Sequence, residues 1–292
     1  MKSKQSLFSG RLEGKQFQEE FFDEHPVLYP WPDLLVKAGL AKSYKLREVK
    51  FKKYLDLLGI KKNDKVLDVG CGQGIFLARI VKTYEVDGVG VDISKNSIRS
   101  AKQWESSRLR FRVADATKLP FPDKSFNYVL SFDLLEHIQD QSKALSEMVR
   151  VLKPGGSLLI HTINQNQDYT WNFWLAKLGV DIYQRVAHQK NLFLKPEWVK
   201  KELEKEGVRM EKLELFNAFS TLIFDEIIMI LIALFKRLNF FSPSRFKTSI
   251  GKAFLSIADL FSRHCLQPLE VLEYPWRRWG YSNSFFVLGR KR

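Results

Sequence analysis

The chain has 292 residues, of which 45% are hydrophobic and 27% charged, enough for one sizeable core with an appendage or insertion. Its net charge is +14 with the excess at the two ends, since residues 236–292 alone carry 11 basic and 3 acidic side chains, and such a surface suits nucleic acid or anionic lipid equally. Two cysteines exclude a disulfide framework, and the lack of an 18-residue uncharged apolar run argues against a complete membrane span, so a reducing cytoplasmic compartment is expected.

Residues 1–48 are predicted to form an N-terminal arm with helical and aromatic parts. A helix is expected over residues 14–24, and an extended aromatic segment follows because prolines at positions 26, 30 and 32 disfavour helix in the residues before them. The arm either packs over a bound cofactor or contributes to a substrate site. A second helix is expected to end at Gly59.

The sequence VLDVGCGQG over residues 66–74 combines a short apolar run with glycines at alternate positions. A helical pattern follows from Ile75 to Thr83. A buried parallel strand that ends in a glycine turn and leads into a helix is the general form of a nucleotide cradle, because glycine permits the turn and lets backbone approach the ligand.

Two details of this turn indicate which nucleotide it holds. The dinucleotide fingerprint needs a third glycine five residues after the first, and Ile75 stands there, which weakens a prediction of NAD or FAD. Asp68, two positions before Gly70, is unsuited to pyrophosphate but can accept hydrogen bonds from a cationic ligand. The stretch resembles motif I of the class I S-adenosylmethionine (SAM) methyltransferases.

A second strand is predicted over residues 86–91, and it leads into Asp92, 22 residues after Gly70. In a doubly wound sheet this position lies over the ribose, where a carboxylate can accept from both hydroxyls. The alternative role, as N-cap of the helix that starts near Lys95, fits Ser94 better. We therefore expect Asp92, with its neighbour Ile93, to contact the cofactor.

Further strands are expected over residues 109–114 and 126–131, and the sequence LKPGGSLLIHT of residues 152–162 follows as a helix end, a glycine turn and a fifth strand. These blocks resemble the methyltransferase fold in the same order. The resemblance implies that the Asp115 carboxylate meets the adenine amine and the Ala116 backbone amide meets the ring. It also implies an α/β, Rossmann-like, seven-stranded and mostly parallel sheet with an antiparallel last strand.

The segment SFDLLEHIQD follows the fourth strand. Phe132 and Asp133 should border the pocket, because ligands in open parallel sheets bind beyond the strand ends. Asp133, Glu136 and His137 would share one face if the segment is helical. Such a face can supply His137 as a general base or, alternatively, all three side chains to a divalent ion.

Residues 50 to about 210 resemble the ubiquinone-biosynthesis O-methyltransferases within this class. The resemblance implies a hydroxyl acceptor whose proton His137 removes with Asp133 beside it. In that family two Glu and a His are associated with a metal ion, and Asp133 here replaces the first Glu. His161 and His188 are secondary candidates, expected to be hydrogen-bonded wall residues.

The carboxyl-terminal part departs from the class. A helix over residues 196–206 and a strand over 208–216 should be followed by a last strand at 284–288, and about 65 residues intervene, far more than an ordinary turn. The predicted units are a core over 49–217, an apolar and amphipathic helical insertion over 218–280, and a final strand with a basic tail over 281–292. Three roles are possible for the insertion: a helical lid, a membrane-surface hairpin that admits a lipid acceptor, or a binding site for single-stranded nucleic acid. Its high content of Ile and Leu is unfavourable for binding nucleic acid.

The sequence thus predicts an enzyme, a SAM-dependent methyltransferase acting on an apolar or lipid-linked small-molecule hydroxyl, with peripheral contact to an anionic membrane on its cytoplasmic face. The alternatives are an RNA methyltransferase and a SAM-binding component of a lipid or glycan assembly complex without catalysis. The predicted cofactor-binding residues are Asp68, Gly70, Cys71, Gly72, Gly74, Asp92, Ile93, Asp115, Ala116 and Phe132. The predicted catalytic residues are Asp133 and His137.

Overall fold

The computed structural model describes residues 52–178, 189–216 and 274–292. The predicted arm over residues 1–48 and the insertion up to residue 273 lie outside these residues, as does His188. Residues 52–58 are helical and end at Gly59, whose φ of 67° is the left-handed conformation that glycine adopts readily at helix ends.

Seven strands form one sheet, in the order β3-β2-β1-β4-β5-β7-β6. The strands from β1 to β5 pair in parallel, and β7 is antiparallel to both of its neighbours, β5 and β6. The prediction of a mostly parallel sheet with an antiparallel last strand is confirmed. The bounds are β1 Lys65–Val69, β2 Asp87–Asp92, β3 Leu109–Val113, β4 Phe126–Phe132, β5 Leu152–Ile163, β6 Val208–Phe216 and β7 Ser284–Lys291.

Three of the helices begin at a residue that is a recognisable starting signal in the sequence. The Ser94 hydroxyl accepts from the Ser97 amide and the Asp140 carboxylate from the Lys143 amide, so each caps a helix, and Pro196 occupies the first turn of another. The bounds are α1 Ile75–Tyr84, α2 Lys95–Ala101, α3 Gln141–Val151, α4 Trp171–Lys177, α5 Pro196–Lys205 and α6 Tyr274–Arg278.

The sheet is covered on both faces, and the central strands are therefore buried on both sides. Leu67 and Val129 belong to one apolar cluster and Val66 and Leu130 to the other, and all four are fully buried. This explains why β1 and β4 read as nearly continuous apolar runs.

The strand order places the ligand-binding edge. The chain builds outward from β1 to β3 and then returns to place β4 on the other side of β1. Ligands of open parallel sheets bind at such a reversal, beyond the carboxyl ends of the strands. In this sheet those ends are Val69 of β1 and Phe132 of β4.

Candidate functional site: a cleft at the ends of β1, β2 and β4

The glycine turn after β1 is left-handed at Gly70, Gly72 and Gly74, with φ values of 80°, 51° and 72°. A Cβ on Gly70 would lie 2.9 Å from the Leu134 side chain, and one on Gly74 would lie 2.4 Å from the Phe111 ring. A Cβ on Gly72 would meet nothing within 4 Å. Gly70 and Gly74 are therefore required by packing as well as by backbone angle, whereas the surface at Gly72 is open.

Asp92, the last residue of β2, is bonded to this turn. Its Oδ2 accepts from the Gly72 amide and its Oδ1 from the Ser94 amide, both at 2.9 Å. Ser94 is the N-cap of α2, so the alternative role considered for Asp92 is filled by its neighbour. The Asp92 carboxylate is thus held against the turn by two backbone donors.

Asp68 is 3% exposed beneath the same turn. Burial raises the pKa of this carboxyl to about 7, and the nearby charge of Asp92 adds to the rise. A cationic group brought to this place would favour the charged form of Asp68 and offset the cost of its burial. The arrangement suits a positively charged ligand.

The Cys71 thiol in the turn is kept protonated. Burial, followed by the charges of Asp68 and Asp92, raises its pKa well above the ordinary value. Because the thiolate is the reactive form, Cys71 is a small packing residue here and not a nucleophile.

Asp115 and Ala116 follow β3, which pairs with β2 at the same edge. The Asp115 Oδ1 accepts from the Thr117 amide at 2.9 Å, and the Lys118 amide donates to the Asp115 carbonyl at 3.0 Å. This closes a tight turn that presents Ala116 near the ends of β2 and β3.

Sequence reasoning missed the anchor of this loop, which lies on α3. Glu147 accepts from the Leu119 amide at 2.8 Å, and Arg150 donates to the Leu119 carbonyl at 3.0 Å and the Phe121 carbonyl at 2.8 Å. The two side chains also pair with each other at 2.8 Å. They were missed because their partners are main-chain atoms some 30 positions away, which leave no pattern in the sequence.

Replacing Arg150 by leucine is expected to lower the free energy of unfolding by about 2 kcal/mol, because Glu147, 7% exposed, would lose the charged partner that donates to both of its oxygens. Urea denaturation followed by circular dichroism measures this. Arg290→Leu is the matched control, since its ion pair with Glu211 is more exposed and should contribute less than about 1 kcal/mol. Equal losses in the two variants would contradict the anchoring role of Arg150.

Phe132 joins the end of β4 to the start of α1. Its ring contacts Phe76 edge to face, with ring centroids 4.9 Å apart. Since Phe76 lies two residues beyond Gly74, this contact places the residues after β4 beside the glycine turn. Asp133, the next residue, therefore lies close to the glycine turn.

Residues 133–137 do not form one helix, so the condition under which Asp133, Glu136 and His137 would share one face is not met. Asp133 is left-handed, with φ of 52°, and only Leu135–His137 form a short 3₁₀ turn. That turn ends because Ile138 is extended. Asp133 and Glu136 instead contact two consecutive residues of β5.

Both contacts are short; the Thr162–Glu136 contact is buried, whereas the Asp133 side chain is 27% exposed. His161 Nδ1 and Asp133 Oδ1 lie 2.6 Å apart, and the Thr162 hydroxyl donates to Glu136 Oε2 at 2.7 Å. His137, the predicted base, is 8% exposed on the same turn. His161, predicted as a secondary candidate, thus lies directly against the Asp133 carboxylate.

The alternative metal set of Asp133, Glu136 and His137 is not assembled in this structure. Asp133 and Glu136 are directed at different β5 residues. Within residues 52–178, 189–216 and 274–292, no three His, Cys, Asp or Glu side chains are grouped as metal ligands.

The sheet order and the glycine turn give a fold that is similar to that of SAM-dependent methyltransferases of known structure. Residues 67–160 match the family model described as a methyltransferase domain. The predicted class and its cofactor are confirmed at the level of this domain.

Among curated relatives, phosphoethanolamine N-methyltransferase 3 of Arabidopsis thaliana is 31% identical over 201 residues, covering 61% of this chain and 40% of the relative. Ajmaline N-methyltransferase of Rauvolfia serpentina is 38% identical over 105 residues, covering 34% of this chain and 36% of the relative. The chain therefore matches less than half of the length of either relative.

Solved structures agree on the fold. Phosphoethanolamine N-methyltransferase 2 of Haemonchus contortus, in complex with SAM, gives a TM-score of 0.59 at 20% identity and covers 97% of this chain and 60% of its own. Geranyl diphosphate C-methyltransferase of Streptomyces coelicolor gives a TM-score of 0.57 at 15% identity, over 92% and 88% of the two chains. At these identities the likeness concerns the fold.

Proposed function

We propose that the protein transfers a methyl group from SAM to an apolar or lipid-linked small molecule, at a hydroxyl oxygen. The observation that supports this most is the glycine turn with Asp68 and Asp92 on one side and, on the other, the neighbouring turn after β4 with Asp133 and His137. The first side suits a cationic cofactor, and the second supplies groups that can accept a proton from a substrate.

The residues present fit SAM. Asp68 would accept from the α-amino group, Asp92 from the ribose hydroxyls, and Asp115 from the adenine amine. Gly72 would take the close approach of the ligand because a methyl group's worth of space is open over it. The proposed contact set also includes Gly70, Cys71, Gly74, Ile93, Ala116 and Phe132.

When bound, SAM supplies a methyl group already activated by the sulfonium, so the protein's part is to align the acceptor and exclude water. Asp133 and His137 would orient the acceptor hydroxyl and take its proton as the oxygen attacks. Nothing in this role needs a metal ion, because the proton acceptors are supplied by the turn itself.

The names of the curated relatives favour a second candidate, an amine acceptor. A carboxylate at Asp133 would attract an ammonium group, which must lose a proton before it can attack. None of the residues identified above distinguishes a hydroxyl acceptor from an amine acceptor.

An acceptor screen tests both candidates. The purified chain is incubated with SAM and either phosphoethanolamine, farnesol or a prenylated phenol, and formation of S-adenosylhomocysteine is measured by mass spectrometry. Turnover with farnesol or the phenol supports a hydroxyl acceptor. Turnover with phosphoethanolamine alone overturns that proposal and supports an amine acceptor. Binding of SAM without turnover on any acceptor, including bulk RNA, would point to a binding module.

We further propose that one edge of the protein contacts an anionic membrane. Tyr169, Trp174, Leu178, Tyr274 and Trp279, here called the aromatic patch, are between 49% and 79% exposed. The loop after β5 is bonded to the segment before β7, since Asn166 donates to the Gly280 carbonyl at 3.3 Å and the Ser282 amide donates to the Asn166 carbonyl at 3.2 Å. Exposed tryptophan and tyrosine beside Lys177 and Arg278 match the composition favoured at lipid headgroups.

Replacing Trp174 and Trp279 together by serine is expected to weaken binding to phosphatidylglycerol-containing vesicles by at least about tenfold, because both rings would lose their interfacial contact. Co-sedimentation measures this, and phosphatidylcholine vesicles should bind weakly throughout. Trp104→Ser is the matched control, since Trp104 is 42% exposed and lies outside the patch. Unchanged vesicle binding by the double variant would overturn the proposal.

Among the helices of the described residues, none has the length and apolar character that a membrane span requires.

A further inference from the structure

Two consecutive residues of β5 contact the two acidic side chains of the turn after β4. His161 Nδ1 lies 2.6 Å from Asp133 Oδ1, and the Thr162 hydroxyl donates to Glu136 Oε2 at 2.7 Å. Because neighbouring residues of a strand point to opposite faces, the two contacts hold the turn from both sides of the sheet. We call this pair of contacts the β5 clamp.

The backbone adds a third point of attachment. Phe132 pairs with His161 in the β4–β5 register, and the Asp133 amide donates to the His161 carbonyl at 3.0 Å. Asp133 itself has the left-handed backbone conformation, with φ of 52°. A left-handed aspartate costs backbone free energy, and it persists where surrounding contacts determine it.

Three of the four clamp residues are buried, and the Asp133 side chain is 27% exposed. Glu136 and Thr162 have no exposed surface, and His161 is 3% exposed. Moving a carboxyl group into such a position is costly unless a specific partner compensates. His161 is fixed in turn by its ring contact with Phe286 of β7, at 4.5 Å between centroids.

We infer that His161 and Thr162 are positioning residues that set the acceptor side of the site. They hold the turn on which Asp133 and His137 stand, so the distance from these two groups to the glycine turn is fixed by β5. The inference rests on the proposed function, because that function makes the turn the acceptor side of the site. The clamp itself can be tested without turnover.

Hydrogen exchange tests the clamp directly. The amides of Asp133, His137 and Ile138 donate to the carbonyls of His161, Leu134 and Leu135, so they report whether the turn is held. His161→Leu and Thr162→Val should each raise exchange at these amides by about tenfold while exchange in β1 stays unchanged. His161→Asn should restore protection, because its amide N–H can replace Nδ1–H as a donor to Asp133.

Ser157→Ala is the matched control for Thr162→Val, since it removes another buried hydroxyl from the same strand, far from the turn. Unchanged exchange at residues 133–138 in both clamp variants would overturn the inference. So would a rise of the same size in Ser157→Ala, because that would show general loosening of β5. A melting temperature for each variant shows that the chain compared is folded.

Kinetics then connect the clamp to the site. With the acceptor that gives the highest rate in the screen above, His161→Leu should lower kcat at least tenfold with SAM affinity unchanged by calorimetry, and His161→Asn should recover most of it. Wild-type turnover with undiminished kcat in His161→Leu and Thr162→Val overturns the positioning role. If the wild-type chain turns over none of the acceptors, the proposed function fails, and the exchange experiment still decides the clamp.

Discussion

Replacing Asp92 by alanine is expected to lower SAM affinity by at least about 100-fold, as measured by isothermal titration calorimetry. The carboxylate would accept from the ribose hydroxyls, and hydrogen bonds to a charged group contribute roughly 1.5–3 kcal/mol each. The substitution also releases the Gly72 amide, which Asp92 holds at 2.9 Å, so the glycine turn loses a support. Both effects act in the same direction.

Asp87→Ala is the matched control for this prediction. Asp87 begins the strand that Asp92 ends, and its side chain is 49% exposed beside Arg108. Its removal should leave SAM affinity within about twofold of the wild type. If Asp92→Ala remains folded and binds SAM as tightly as Asp87→Ala does, the ribose role assigned to Asp92 is wrong.

SAM affinity is expected to fall about tenfold for each pH unit below about 7, because one proton must leave Asp68 before it can accept from the ligand's amine. The pKa of Asp68 in the free protein is raised to about 7 by burial and by Asp92. A bound cation lowers that pKa, so binding releases a proton and affinity rises with pH until the free carboxyl is already charged. Above about 8 the ligand's α-amino group itself loses its proton, so affinity should decline again.

Calorimetry from pH 5.5 to 8.5, in buffers of different ionisation enthalpy, measures both the affinity and the proton released. Asp68→Asn distinguishes the titration of this carboxyl from that of the histidines on the acceptor side. The variant should bind SAM more weakly than the wild type, with an affinity that does not change with pH below 7. A wild-type affinity that stays constant between pH 5.5 and 7 would show that Asp68 is not the group that meets the cation.

The same linkage affects the free protein. A carboxyl whose folded pKa lies above its unfolded value of about 3.9 favours folding below that value, and the contribution is lost as pH rises to about 7. Above about pH 7 the free chain therefore carries a buried charge on Asp68 that destabilises it. A cationic ligand removes this penalty, which couples binding to stability at the cleft.

The acceptor side of the site was the part least accessible from sequence. The spacing of Asp133, Glu136 and His137 fits a helical face, but the structure has a left-handed residue and a 3₁₀ turn there. Local spacing could not show that β5 would offer His161 and Thr162 as partners 28 and 26 positions away. These contacts outcompete the local helix.

The amino-acid sequence by itself determined the strands, the glycine turn and the places of Asp68, Asp92 and Asp115. Each of these depends on local rules: apolar runs bury strands, glycine permits left-handed turns, and a residue that ends a parallel strand reaches the ligand edge. Strand bounds agree within one residue for β1 to β4 and fully for β6, whereas β7 runs three residues beyond the predicted 284–288.

Only the tertiary structure decided the strand order, the anchoring of the loop after β3 by Arg150, and the pairing of Asp133 with His161. All three join residues distant along the chain through the register of the sheet. Register is set by the summed packing of both faces of the sheet. The partners of a buried polar side chain follow from that register, and the residues next to it in the sequence do not reveal them.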